Sequence, residues 1–222
     1  MPADWSGGLP AFSSGAEQTT SARRRWTLIA AGTVLTLALF GAALAMLVYY
    51  TPTEKSMGQI QKVFYIHLPV AINTFLACLV SFIASVGYLW TRRMSWDDLA
   101  ASSAKVAVVL CSIVLLTGMI WGKAAWGQWW TWSPRLTFSL MLWLLYVVYL
   151  IIRNSIDSAP RRALISAVYS LIAFLDVPLV YLSARLMQDI HPQSIELEPA
   201  MKLTLLVWFI PVTLANAGMI TL

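Results

Sequence analysis

Charge is what this chain has least of. Lys and Arg together number 15 and Asp and Glu 10 in 222 residues, far below the quarter or so of charged residues typical of a soluble domain. A soluble surface is therefore excluded for most of the chain. Cysteine is equally scarce: Cys78 and Cys111 each lie inside an apolar run, in neither CxxC nor CxxCH spacing. That excludes an encoded redox pair and the thioether attachment of a c-type haem, and leaves both residues as packing thiols. No GxxxxGK[ST] occurs, so any ATP that drives this protein's work is hydrolysed by another subunit. The formal net charge is +5, but it is scattered over short segments and builds no long basic face, which argues against a nucleic-acid partner.

What the chain does have is apolar length. Hydrophobic residues make up 59% of it and the mean hydropathy is +0.71, which places it among polytopic membrane proteins. Apolar runs cover about 26–50, 70–90, 103–121, 136–152, 163–182 and 200–222, each near the ~20 residues that a helix needs to cross a bilayer. The fold expected is all-α, with six transmembrane helices. The first run follows Arg23, Arg24 and Arg25 but is longer than a signal-peptide core and has no small-residue cleavage site, so it counts as a span. The Ser-, Gly- and Thr-rich stretch before it cannot bury a core. Residues 1–25 are accordingly expected to be a disordered cytoplasmic tail, and 26–222 a single membrane domain surrounded by lipid.

Placing the arginine triplet inside puts nine basic residues on that side, with Arg92, Arg93, Lys105, Arg153, Arg161 and Arg162, against six in the outer segments. Six spans then send the connections after the first, third and fifth runs to the outer face. Both of the chain's histidines, His67 and His191, fall in those connections. Asp176, beside Pro178 in the fifth run, is read as a protonated or hydrogen-bonded acid at a proline kink.

One outer connection is unlike the rest. WGKAAWGQWWTWSPRLT, residues 121–137, holds Trp121, Trp126, Trp129, Trp130 and Trp132, five of the eleven tryptophans, where even scattering would place fewer than one. Read as a helix, it puts Trp126, Trp129 and Trp130 on one face, and Gly122 and Gly127 leave backbone bare for a flat ligand. Pro134 is expected to end such a helix. Arg135 follows, and guanidinium pairs with carboxylate while indole stacks on π-systems. A large planar ligand with an anionic edge fits this, porphyrin above all. Two neutral imidazoles are suitable axial ligands for its iron. Lys123 and Arg185 are further cations on the same side, suited to the ligand's rim.

The segment resembles the tryptophan-rich "WWD" signature, roughly WGxxxWGxWWxWDxRLT, of the haem-handling proteins of cytochrome c biogenesis, and the chain from about Trp26 onward is similar to the CcmC family. Ser133 departs from it, standing where the family has aspartate. The YIHLP context of His67 and the SARLMQDIH context of His191 resemble the family's histidine settings, although Leu186 and Met187 replace two frequent tryptophans. The resemblance implies that His67 and His191 are an axial pair for non-covalent b-type haem in transit. It also implies a multi-pass protein of the inner membrane whose haem site faces the periplasm, with Trp121, Gly122, Trp126, Gly127, Trp129, Trp130 and Trp132 as platform. Its expected partners are the ABC-type subunits CcmA and CcmB, the small subunit CcmD and the haem chaperone CcmE, to which haem is delivered without catalysis by this chain. A haem lyase or synthase of the same superfamily and a haem transporter are the alternative functions.

Overall fold

The computed structural model describes residues 15–55, 57–187 and 197–221. They form seven helices: α1 (Gly15–Tyr49), α2 (Phe64–Thr91), α3 (Met94–Trp126), α4 (Pro134–Asn154), α5 (Ala159–Phe174), α6 (Asp176–Leu186) and α7 (Pro199–Thr221). A short 3₁₀ turn, Gln59–Val63, leads into α2, and no strand forms among the described residues. Six stretches are long and apolar enough to cross a bilayer: Arg23–Tyr49, Gln59–Thr91, Met94–Trp126, Pro134–Asn154, Ala159–Ser183 and Pro199–Thr221. The expected all-α, six-span architecture is thus the observed one.

The helices outrun the apolar runs that announce them. α3 has 33 residues, about 50 Å at 1.5 Å per residue, against a hydrocarbon core of about 30 Å. It must therefore project beyond the hydrocarbon core. α1 reaches back to Gly15, so it takes in residues 15–25 of the expected tail, and residues 1–14 lie outside the described residues. Ala, Glu, Gln and Arg are good helix formers, so the span carries on into them. The fifth span is broken at Leu175, and Pro178 sits in the first turn of α6. Proline has no N–H to give the carbonyl four residues back, and Leu175 closes α5 with a tightened bond to Ile172 (3.1 Å).

α2 is the centre of the bundle, touching α3, α5 and α7. Its contact with α3 is built from small side chains: Ala77, Ser81, Ala84 and Ser85 on one helix, Ala100, Ser103, Ala104 and Ala107 on the other, all buried. Small residues let backbones approach where no hydrophobic effect drives helices together. The Ser81 hydroxyl bonds across to the Ala100 carbonyl (3.1 Å) and Ser170 of α5 (3.2 Å). On the other flank Asn216 of α7 donates to the Asn73 side chain at 3.0 Å, and Asn73 donates to Thr213 at 3.2 Å. α1 packs on α7, with Phe40 edge-on to Trp208 at 6.0 Å; the rest of its apolar surface is exposed, as lipid contact requires.

The bundle has two different ends. At one, Arg153 of α4 grips Asp97 of α3 with two parallel 2.6 Å bonds, and the Trp96 indole lies over Gly87, where a Cβ would meet it at 2.7 Å. At the other end lie the 3₁₀ turn, His67, the tryptophan segment and Arg185. Parity alone predicted this sorting.

Candidate functional site

His67 lies in the first turn of α2, where the 3₁₀ turn hands the chain to the helix. Its Nδ1 is 2.8 Å from the Thr117 hydroxyl of α3. Directly beside it, a Cβ at Gly118 would stand 3.4 Å from the imidazole Cε1. The α2–α3 seam of small residues therefore continues to this end of the bundle and closes around an imidazole.

Above that seam the tryptophan segment divides. Trp121 and Trp126 are in α3, their rings 5.5 Å apart at 57°, and Trp121 is only 4% exposed. Gly127 then stops the helix in the left-handed conformation, φ 77, its N–H bonded to the Lys123 carbonyl (3.0 Å) while the Lys123 ammonium reaches the Gly127 carbonyl (2.9 Å). This is a glycine C-terminal cap reinforced by a cation. Trp129, Trp130 and Trp132 are consequently off the helix, and the expected helical face of Trp126, Trp129 and Trp130 is corrected. Trp129 and Trp132 are 59% and 76% exposed, and Trp130 meets Trp132 edge-on at 5.8 Å. Pro134 likewise begins a helix instead of ending one: it opens α4 behind Ser133, whose carbonyl accepts from both the N–H and the hydroxyl of Thr137 (2.9 Å each). Proline fits a first helical position, where no partner for its missing N–H is needed. The backbone of Gly122 is not bare either, because the Trp126 ring and the Gln128 carbonyl lie 3.4–3.5 Å from where its Cβ would be.

The positive φ at Gly127 makes a stability prediction. Gly127→Ala should destabilise the protein by about 1–2 kcal/mol, the cost of placing a Cβ in the left-handed region, and Gly127→Asn should cost less. Thermal unfolding of the detergent-purified variants measures both; equal melting temperatures for Ala and Gly would refute the cap.

Beneath these elements lies a cavity of about 440 Å³, within the roughly 300–1,000 Å³ range of ligand pockets. His67, Trp121 and Arg135 line it together with Arg185, and Phe75, Val114, Leu142, Val180 and Leu205 carry its apolar wall into the bundle. A smaller space of about 50 Å³ adjoins it between His67, Gly118, Trp126 and Arg135. Among the described residues, no acidic side chain lines either space. Arg185 is held with its guanidinium 4.7 Å above the Tyr181 ring, a cation–π contact that fixes it at the cavity wall.

The fold therefore gathers His67, Trp121, Arg135 and Arg185 around the cavity, with Trp126 at the small space beside it. Lys123, Gly127, Trp129, Trp130 and Trp132 stay outside its lining. His191 lies outside the described residues, but the chain lines the cavity at Arg185 and again at Leu197, on either side of it. Sequence reasoning missed Thr117, Gly118 and Tyr181. Thr117 carried a signal, since it is a polar residue one helical turn before Trp121 in the otherwise apolar stretch 113–121.

An imidazole at the mouth of an apolar slot with two guanidiniums beside it suits a planar hydrophobic ligand that carries metal and an anionic edge. The residues present therefore fit haem. Comparison with known proteins points the same way. A family model described as CcmC, heme exporter protein C, matches residues 11–222. The chain is 32% identical over 170 residues to the heme exporter protein C of Bradyrhizobium diazoefficiens, a match covering 75% of this chain and 62% of the relative. With that of Rhodobacter capsulatus it shares 32% over 155 residues, 70% of this chain and 62% of the relative. With that of Escherichia coli it shares 29% over 183 residues, 80% and 72%. The match thus spans less than two thirds of the first two relatives' length.

Proposed function

Since this chain belongs to the CcmC family, we propose that it holds haem at the outer end of its bundle and delivers it for cytochrome c maturation, as a binding protein and not as an enzyme. The observation that carries this reading is His67 at the mouth of the 440 Å³ apolar cavity, flanked by Arg135 and Arg185. In this arrangement the His67 imidazole ligates the iron, the cavity wall covers the apolar porphyrin edge, and the two guanidiniums pair with the propionates. His191 supplies the second axial ligand. Trp121 and Trp126 flank the imidazole, and Trp130 with the exposed Trp129 and Trp132 covers the side from which the haem leaves. That side must stay reachable, because a carrier that enclosed its cargo could not hand it over.

The recipient in this reading is a membrane-anchored haem chaperone of the CcmE type, and the chain works beside CcmA, CcmB and CcmD, which supply the ATP hydrolysis that it has no motif to perform. It sits in the inner membrane with its N-terminus in the cytoplasm and the His67 end in the periplasm, as its basic residues direct. The haem is b-type and non-covalent, for want of a CxxCH. Handover is a competition between two sites, biased by partners that bind one state of this protein better than another.

Titration of the purified protein with haem and with haem dimethyl ester tests the assignment. The wild type should give a six-coordinate low-spin spectrum with haem. Arg135→Ala with Arg185→Ala should weaken haem binding by roughly tenfold or more, the worth of a charge-assisted hydrogen bond, and leave ester binding unchanged. No spectral change on titrating the wild type would refute haem binding, and equal losses for haem and ester would refute the arginines' role.

A further inference from the structure

The Thr117 hydroxyl has one proton and three neighbours. Its Oγ lies 2.7 Å from the Ile113 carbonyl and 3.2 Å from that of Val114, and 2.8 Å from Nδ1 of His67. Carbonyl oxygens only accept. Were the proton turned toward His67, two lone-pair oxygens would face each other at 2.7 Å with nothing between them. The proton therefore lies along the Ile113 bond, the usual back-bond of a threonine inside a helix, and Thr117 can only accept from the imidazole. His67 must then carry its proton on Nδ1. A neutral ring protonated there keeps its lone pair on Nε2.

We propose that Thr117 is the positioning residue of His67: by accepting the Nδ1–H bond it fixes the tautomer and ring orientation that present the Nε2 lone pair to iron. This rests on the reading of His67 as a ligand. Metal-bound histidines are commonly held through their other nitrogen by an acceptor that sets the tautomer and raises ligand basicity; here the acceptor is a hydroxyl polarised by its own helix. Gly118 completes the device. With a Cβ there already 3.4 Å from Cε1, a larger side chain would push the ring out of line with Thr117. Thr117 and Gly118 are adjacent on α3, so orientation and clearance come from one turn of helix packed against the start of α2.

The test needs no haem for its first arm. The chain has only two histidines, so ring-¹⁵N-histidine labelling of the full-length protein in detergent gives few signals, and a His191→Ala sample assigns them. At a pH where the ring is neutral, His67 should show a protonated Nδ1 and an unprotonated Nε2. Thr117→Val, which keeps the shape and removes the acceptor, should lose that pattern, and Thr117→Ser should keep it. In the second arm, Thr117→Val should bind haem roughly 10- to 100-fold more weakly, with melting temperature close to wild type, and Thr117→Ser should restore binding. A wild-type ring protonated on Nε2, or ring shifts unchanged in Thr117→Val, overturns the proposal whatever haem does. Haem affinity unchanged in Thr117→Val despite an altered tautomer overturns its relevance to ligation. If instead His67→Ala leaves the haem spectrum unchanged while the tautomer behaves as stated, the ligand assignment of His67 has failed and not the Thr117–His67 geometry.

Discussion

His67→Ala is expected to turn the haem-loaded protein from a six-coordinate to a five-coordinate form, with a loss of affinity at least as large as the roughly 10- to 100-fold that follows removal of an outer partner of a metal ligand. Binding should persist in weakened form, because the 440 Å³ cavity still offers its apolar wall and Arg135 and Arg185 remain. The substitution leaves a hole of imidazole size beside Gly118 and Thr117, next to the 50 Å³ space that His67 now borders. Free imidazole should therefore enter and restore the six-coordinate spectrum, which a lost packing contact would not allow. Absorption spectra of the variant with and without millimolar imidazole decide it. A wild-type spectrum without imidazole, or no response to it, would mean that the iron is ligated elsewhere. His191→Ala should behave in the same way if it is the partner ligand.

Arg153→Met should destabilise the protein by about 3–5 kcal/mol, the cost of leaving one member of a buried ion pair without its partner, and so by more than Gly127→Ala. Asp97 is 2% and Arg153 12% exposed, and the bidentate contact at 2.6 Å satisfies both carboxylate oxygens. Remove the guanidinium and an acid is stranded between α3 and α4. Asp97→Leu together with Arg153→Met removes both charges, so the double variant should recover most of the loss. Apparent melting temperatures in detergent measure this. A double variant no more stable than Arg153→Met alone would show that the pair is not coupled as its geometry requires. Because the pair lies at the end opposite His67, haem titrations of the folded variants should match wild type.

Much of the architecture could be read along one dimension. Hydropathy runs mark bilayer crossings because each span must be apolar over a fixed length, and six crossings sort the connections by parity. That arithmetic alone sent the loop of His67, the tryptophan segment and Arg185 to one end, where the folded chain brings His67, Trp121, Arg135 and Arg185 to one cavity and Trp126 to the space beside it. The helix boundaries inside the tryptophan segment were less legible. Gly122 and Gly127 are the same residue type in near-identical settings, yet Gly122 stays helical under the Trp126 ring while Gly127 turns left-handed and ends α3. Pro134 could stop a helix or start one, and only the direction in which α4 leaves decided that it starts one.

What the sequence determined by itself is therefore the number of spans, their sidedness relative to one another, and the unusual concentration of indole at one end. Those follow from local composition and counting. Tertiary structure decided the partners: Thr117 against His67, Asp97 against Arg153, and the apolar slot beneath the imidazole. The physical reason is that a helix fixes which of its residues share a face, but not its depth or rotation against a neighbour. Small residues along the α2–α3 seam set those two quantities here, and the distance from Nδ1 of His67 to the Thr117 hydroxyl depends on both.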